Sequence, residues 1–80
     1  IDLSAHSLDE VNDVLALASD RSILFHSASG DFVRWIGGII GDLELARQVG
    51  MVTGTDAPEL RRNLRACVEG RLNKLRSVLT

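Results

Sequence analysis

Leu60, Leu64, Cys67, Val68, Leu72, Leu75 and Leu79 recur at intervals of three and four, the spacing that lines one face of an α-helix through four to five turns. A stripe this long has to be covered by other apolar surface. Its start is marked by Asp56-Ala57-Pro58-Glu59, with Asp56 placed to cap the first amides and Glu59 at the capping-box position. Pro58 is harmless there, because first-turn amides have no helical acceptor. A helix is therefore predicted over 57–79, and the rest of the chain must supply its cover. In 80 residues there is room for one core and no second domain. Apolar residues make up 45% and charged residues 25%, the balance of an ordinary folded chain. The only cysteine is Cys67, so an internal disulfide is excluded and packing has to hold the fold.

Two further helices are predicted upstream. Ser7-Leu8-Asp9-Glu10 fits a capping box, and Leu8, Val11, Val14, Leu15 and Ala18 follow at helical spacing, continued by Ser22 and Phe25. This reading gives a helix near 8–27. The alternative is a turn at Ser19-Asp20-Arg21-Ser22 leading into a short Ile23-Leu24-Phe25 strand. Ser27-Ala28-Ser29-Gly30 then reads as a loop. A helix near 31–49 carries Phe32, Ile36, Ile39, Ile40, Leu43 and Ala46 on one face and stops at Gly50. Gly37, Gly38 and Gly41 lie inside it, each costing about 1 kcal/mol of helix preference relative to alanine. Either Gly37 and Gly41, four apart, let another backbone come close, or Gly37-Gly38 marks a kink. Trp35 lies off the main stripe, as a wide-face core residue or as a contact for a partner. The expected fold is all-α: one domain over 1–80, a small three-helix bundle that self-association or a partner helix could complete.

Chemistry leaves little trace. His6 and His26 stand twenty residues apart with no Cys-His spacing, and neither they nor Cys67 belong to a motif that positions a nucleophile, so no catalytic, cofactor or metal site is expected. Gly37-Gly38-Ile39-Ile40-Gly41 lacks the Lys-Ser/Thr pair of a phosphate loop. The apolar stretch Phe32–Ile40 includes Arg34 and is far shorter than the ~20 residues of a bilayer span. A first residue of Ile1 points to a processed or excised piece of a longer parent, and Ile1–Ala5 has no signal-peptide pattern. Net charge is −2, divided as three basic and eight acidic side chains in residues 1–50 against six and three in 51–80. That polarity favours packing of the last segment on the first, or else a basic surface for an acidic partner.

The run Gly54-Thr55-Asp56-Ala57-Pro58-Glu59-Leu60-Arg61-Arg62-Asn63-Leu64 resembles the joint between the first two helices of the syntaxin N-terminal regulatory bundle, where a Gly-Thr turn and an acidic residue precede a Leu-Arg pair. It is also similar to the helix start of the related anchoring proteins that bind regulators of G-protein signalling, whose continuation Val68-Glu69-Gly70, Leu72 and Leu75 echo. The likeness covers about thirty residues, roughly 50–80, and residues 1–30 do not share it. It implies a helical regulatory module that docks a coiled segment near a membrane, with Leu60, Arg61 and Leu64 as the residues carried over.

The function expected is that of a non-enzymatic protein-protein interaction or regulatory module, cytoplasmic or at a membrane-proximal complex, which presents an apolar helix face to a partner helix or a second copy. Thirty-six apolar residues are more than a minimal bundle hides, and Trp35, Ile39 and Ile40 are the expected contacts, with Leu60, Arg61, Leu64 and Arg65 on the last helix. The alternative is a DNA-binding helical domain whose basic last helix, through Arg61 and Arg65, meets phosphates.

Overall fold

Every element among the described residues is a helix, and local caps decide where several of them start and stop. In the computed structural model, which describes the backbone of residues 3–79 and the side chains of 8–77, the order is α1 (Leu3–Leu17), α2 (Asp20–Ala28), α3 (Asp31–Arg34), a π-helix (Trp35–Ile40), α4 (Leu43–Gly50) and α5 (Ala57–Leu79). The all-α reading holds, and α5 spans the expected 57–79; the helices expected near 8–27 and 31–49 need correction.

The helix expected from Leu8 already runs through residues 3–7, so Ser7 is an interior residue and not a cap. The expected span 8–27 is broken at Ala18-Ser19. Ser19 adopts an extended backbone (φ −64°, ψ 159°) and its hydroxyl accepts from the Ser22 amide at 3.2 Å, starting α2 anew. Residues 20–28 are helical, so the strand alternative is excluded. The direction change also alters the buried face: Leu8, Val11, Leu15 and Ile23 are buried, whereas Val14 and Phe25, expected on that face, are 42% and 63% exposed.

The expected helix 31–49 is an αα-hairpin. Its first arm is α3 continued by the π-helix, and the second is α4 folded back along it. The turn is Gly41-Asp42. The Ile36 carbonyl accepts from both the Gly41 amide at 2.9 Å and the Asp42 amide at 3.1 Å, closing the π-helix. Gly41 then takes φ +86°, a left-handed conformation that a side chain makes costly. Asp42 starts α4, its Oδ1 accepting from the Leu45 amide at 3.1 Å while its Oδ2 accepts from Arg71 Nε at 2.7 Å. The two arms run antiparallel: a β-carbon on Gly37 would stand 3.2 Å from Ala46 Cβ, and one on Gly50 3.5 Å from Val33 Cγ2. Close approach at Gly37 and a break therefore coexist, with the break at Gly41-Asp42 and not at Gly37-Gly38.

Helix α5 is the post on which α1, α2 and α4 pack. Asp56 Oδ1 accepts from the Glu59 amide at 2.9 Å, and Glu59 reaches back to the Thr55 amide at 3.0 Å and to the Thr55 hydroxyl, one residue upstream of a standard capping box. Leu60, Leu64, Val68 and Leu72 bury one edge of α5 against Leu8, Val11, Leu15, Ile23, Ile36 and Leu45, and among the described residues no charged or polar one is buried with them. No helix among the described residues is long and apolar enough to cross a membrane.

Candidate functional site

The tip of the hairpin carries two of the most exposed large apolar side chains among the described residues. A π-helix is wider than an α-helix and turns successive side chains through a smaller angle, so it redistributes what the sequence places on one face. Ile36 points into the core, fully buried; Trp35 and Ile40 are half-buried at its border; Ile39 is 81% exposed. Beyond the turn Leu43, expected on the buried face, is 74% exposed. Its Cδ2 would stand 3.8 Å from a β-carbon on Gly37, and beside it Gly38 and Gly41 have no heavy atom within 4 Å of where a β-carbon would be. The tip thus offers two exposed branched side chains beside bare backbone. Leu17, Leu24 and Phe25 are exposed elsewhere, on the end of α1 and on α2, as single apolar side chains often are.

The expected contacts divide between surface and interior. Trp35, Ile39 and Ile40 lie together on the π-helix. Leu60 and Leu64, at 7% and 1% exposure, are core residues on another element and are removed from any contact surface. Arg61 is committed inside the molecule: Nη1 donates to the carbonyls of Leu15 (2.7 Å) and Ala16 (3.3 Å), and Nη2 pairs with Asp20 (2.8 Å). It thereby satisfies the open carbonyl end of α1 and holds the first residue of α2. Arg65 meets Glu69 at 3.2 Å and Asn12 Oδ1 at 3.4 Å.

Most of the positive charge on α5 is spent in this way. Arg71 pairs with Asp42 and Arg76 with Asp9 at 2.6 Å, so the asymmetry between the two ends of the sequence binds α5 to the elements before it. An open depression of about 370 Å³ lies over Arg61, Arg62, Arg65 and Glu69, where Arg61 pairs with Asp20 and Arg65 with Glu69. Arg61's role was missed at the sequence level. Nothing in the sequence separated it from its neighbour Arg62, because its partners Leu15, Ala16 and Asp20 meet it only through the break at Ala18-Ser19.

The titratable groups are arranged for structure. His26 Nδ1 meets Asp31 Oδ2 at 2.6 Å, and with Arg34 also on Asp31 the carboxyl is held below the usual carboxylate range, the His26 hydrogen bond contributing most. Arg47 lowers Glu44 on the exposed side of α4, and the Thr55 hydroxyl lowers Glu59. Burial pushes the Cys67 thiol up, and its Sγ donates to Gln48 Oε1 at 4.0 Å. His26 and Cys67 thus sit on different elements with different partners. Among the described residues no three His, Cys, Asp or Glu side chains converge to hold a metal; the His6 side chain lies outside them.

No protein-family model, curated protein or solved structure matches the chain. What the site can do follows from its geometry alone. The hairpin tip has apolar area and bare backbone without a convergent polar group, an arrangement that can bind by burial and shape.

Proposed function

We propose that this chain is a non-enzymatic interaction module that receives an amphipathic helix of a partner protein on the tip of the α3–α4 hairpin. One observation carries the reading: Ile39 and Leu43, exposed at 81% and 74%, flank Gly37 and Gly38 on the same two arms of the hairpin. The partner's apolar residues would cover Ile39 and Leu43 and extend to Trp35 and Ile40, while bare glycine backbone lets its helix approach closely. Burying such side chains contributes about 1.5–3 kcal/mol each, so two or three give an interface that can be made and released. A regulatory role of the syntaxin kind is consistent with this mode of binding. The nucleic-acid reading has less support, because Arg61, Arg65, Arg71 and Arg76 already have acidic partners.

The test compares proteins retained from cell extract by the immobilised chain, by its Ile39→Asp variant and by a Lys74→Ala control. A set of proteins lost with Ile39→Asp and kept with Lys74→Ala is the expected result. Identical retention by all three, with both variants folded by circular dichroism, defeats the proposal.

A further inference from the structure

Asp42 holds three elements at once. Its amide donates to the Ile36 carbonyl at 3.1 Å in the π-helix, its Oδ1 accepts from the Leu45 amide at 3.1 Å where α4 starts, and its Oδ2 accepts from Arg71 Nε of α5 at 2.7 Å. Ile39 lies between Ile36 and this residue, and Leu43 directly follows it, so both exposed side chains of the tip hang from a segment that Asp42 pins. The Asp42 side chain itself is only 8% exposed. A carboxylate so well covered is costly without a partner, and Arg71 is the cation paired with it. We infer that Arg71 is a positioning residue for the hairpin tip. From α5 it fixes the turn that displays Ile39 and Leu43, and so sets how well the tip binds.

The position of Arg71 in the fold suits it to that task. It stands next to Leu72, which is 2% exposed in the core, so its backbone is held by the most extensively packed helix. Glu44, close by on α4, also feels the Arg71 charge, but its carboxylate is taken by Arg47 at 2.7 Å. The same device recurs at the other break. Arg61 pairs with Asp20, the first residue of α2, as Arg71 pairs with Asp42, the cap of α4. Helix α5 thus reaches each break with one arginine and meets an aspartate at the start of the following helix. The two pairs differ in cover, since Asp20 is 62% exposed. Losing the cation therefore matters more at Asp42.

Amide hydrogen exchange of the free chain, resolved by NMR, tests the positioning role without any partner. Arg71→Met keeps the length of the side chain and removes its donors. The Gly41, Asp42 and Leu45 amides, bonded to Ile36 and to the Asp42 carboxylate, are expected to exchange about tenfold faster. The Ile23 amide, bonded to the Ser19 carbonyl at the other break, is the control and is expected to keep its rate. Arg71→Lys, which retains a cation, is expected to recover most of the protection. No gain at the three tip amides in Arg71→Met, or an equal gain at Ile23, overturns the inference. Should Arg71→Met fail to fold, Asp42→Asn, which keeps the cap oxygen and loses the charge, is expected to show the same gain confined to the tip, and its absence is equally decisive. The consequence for binding rests on the tip being the docking surface. Proteins retained from extract by the parent chain and lost with Ile39→Asp are expected to be lost with Arg71→Met and kept with Arg71→Lys; full retention by Arg71→Met contradicts the link to binding. If no protein depends on Ile39, the docking reading fails, and the exchange rates still decide whether Arg71 sets the tip.

Discussion

Arg61 Nη1 donates to the Leu15 carbonyl at 2.7 Å, and the same guanidinium reaches Asp20 across the break between α1 and α2. One side chain of α5 therefore fixes the angle between two other helices. Its removal leaves carbonyls at the end of α1 without their donor, in a site where the side chain is only 20% exposed. Arg61→Ala is expected to lower stability by about 1–3 kcal/mol in urea unfolding, while Arg62→Ala, on an exposed position of the same helix, changes it by about 0.5 kcal/mol or less. Equal effects would remove Arg61 from the joint.

Two glycines should respond in opposite directions. A β-carbon on Gly54 would stand 2.5 Å from the Leu60 amide nitrogen and 2.7 Å from its Cα, a clash with backbone that the loop cannot relieve by a rotamer change. Gly70 lies within α5 with open space around it. Gly54→Ala is expected to cost about 1–3 kcal/mol, and Gly70→Ala to add about 0.5–1 kcal/mol of stability. Thermal unfolding of the two variants beside the parent decides the sign of each.

Core and tip should separate cleanly. Leu64 is 1% exposed in the core, so Leu64→Ala is expected to cost about 2–5 kcal/mol. Ile39→Asp, at 81% exposure, is expected to leave the unfolding midpoint within about 0.5 kcal/mol of the parent. A large loss from Ile39→Asp would mean that the tip is part of the core.

The carboxyls of Asp31, Glu44 and Glu59 are held below the usual carboxylate range by His26, Arg47 and Thr55 respectively. A carboxyl depressed in the folded state stabilises fully above its unfolded value, about 4, and that contribution is lost as pH falls through the lower folded value. Melting temperature is therefore expected to be level from pH 7 to 5 and to fall below about pH 4.5, with a smaller acid-dependent fall in Glu59→Gln. An unchanged profile in that variant would contradict the role given to the Thr55 contact.

The sequence made the helical class and the last helix's packing edge legible, because Leu60, Leu64, Val68 and Leu72 keep one spacing and face one core. It hid the two breaks for a physical reason. Periodicity reports which residues prefer burial and is blind to a two-residue turn that preserves the count, as Gly41-Asp42 does within the apolar pattern of 31–49. The local signals were small: Ser19 three residues before Ser22, and Gly41 followed by Asp42 with Leu45 three residues on, each an N-cap that the stripe overrode. For the site, Ile39 could be named from its surroundings of glycine, but Leu43 could not, since its exposure comes from the turn. Arg61 looked free because its acidic and carbonyl partners lie more than forty residues away along the chain, whereas Arg65 pairs with Glu69 one turn further along the same helix.

The most direct test of the central claim places a photoreactive benzoylphenylalanine at position 39, at 43 and, as a control, at 74, and exposes each full chain to light in its own cells. Cross-links from 39 and 43 to the same second polypeptide, with none from 74, are the predicted result. Cross-links that arise only from 74, or equally from all three positions, would show that the hairpin tip is not where this protein meets its partner.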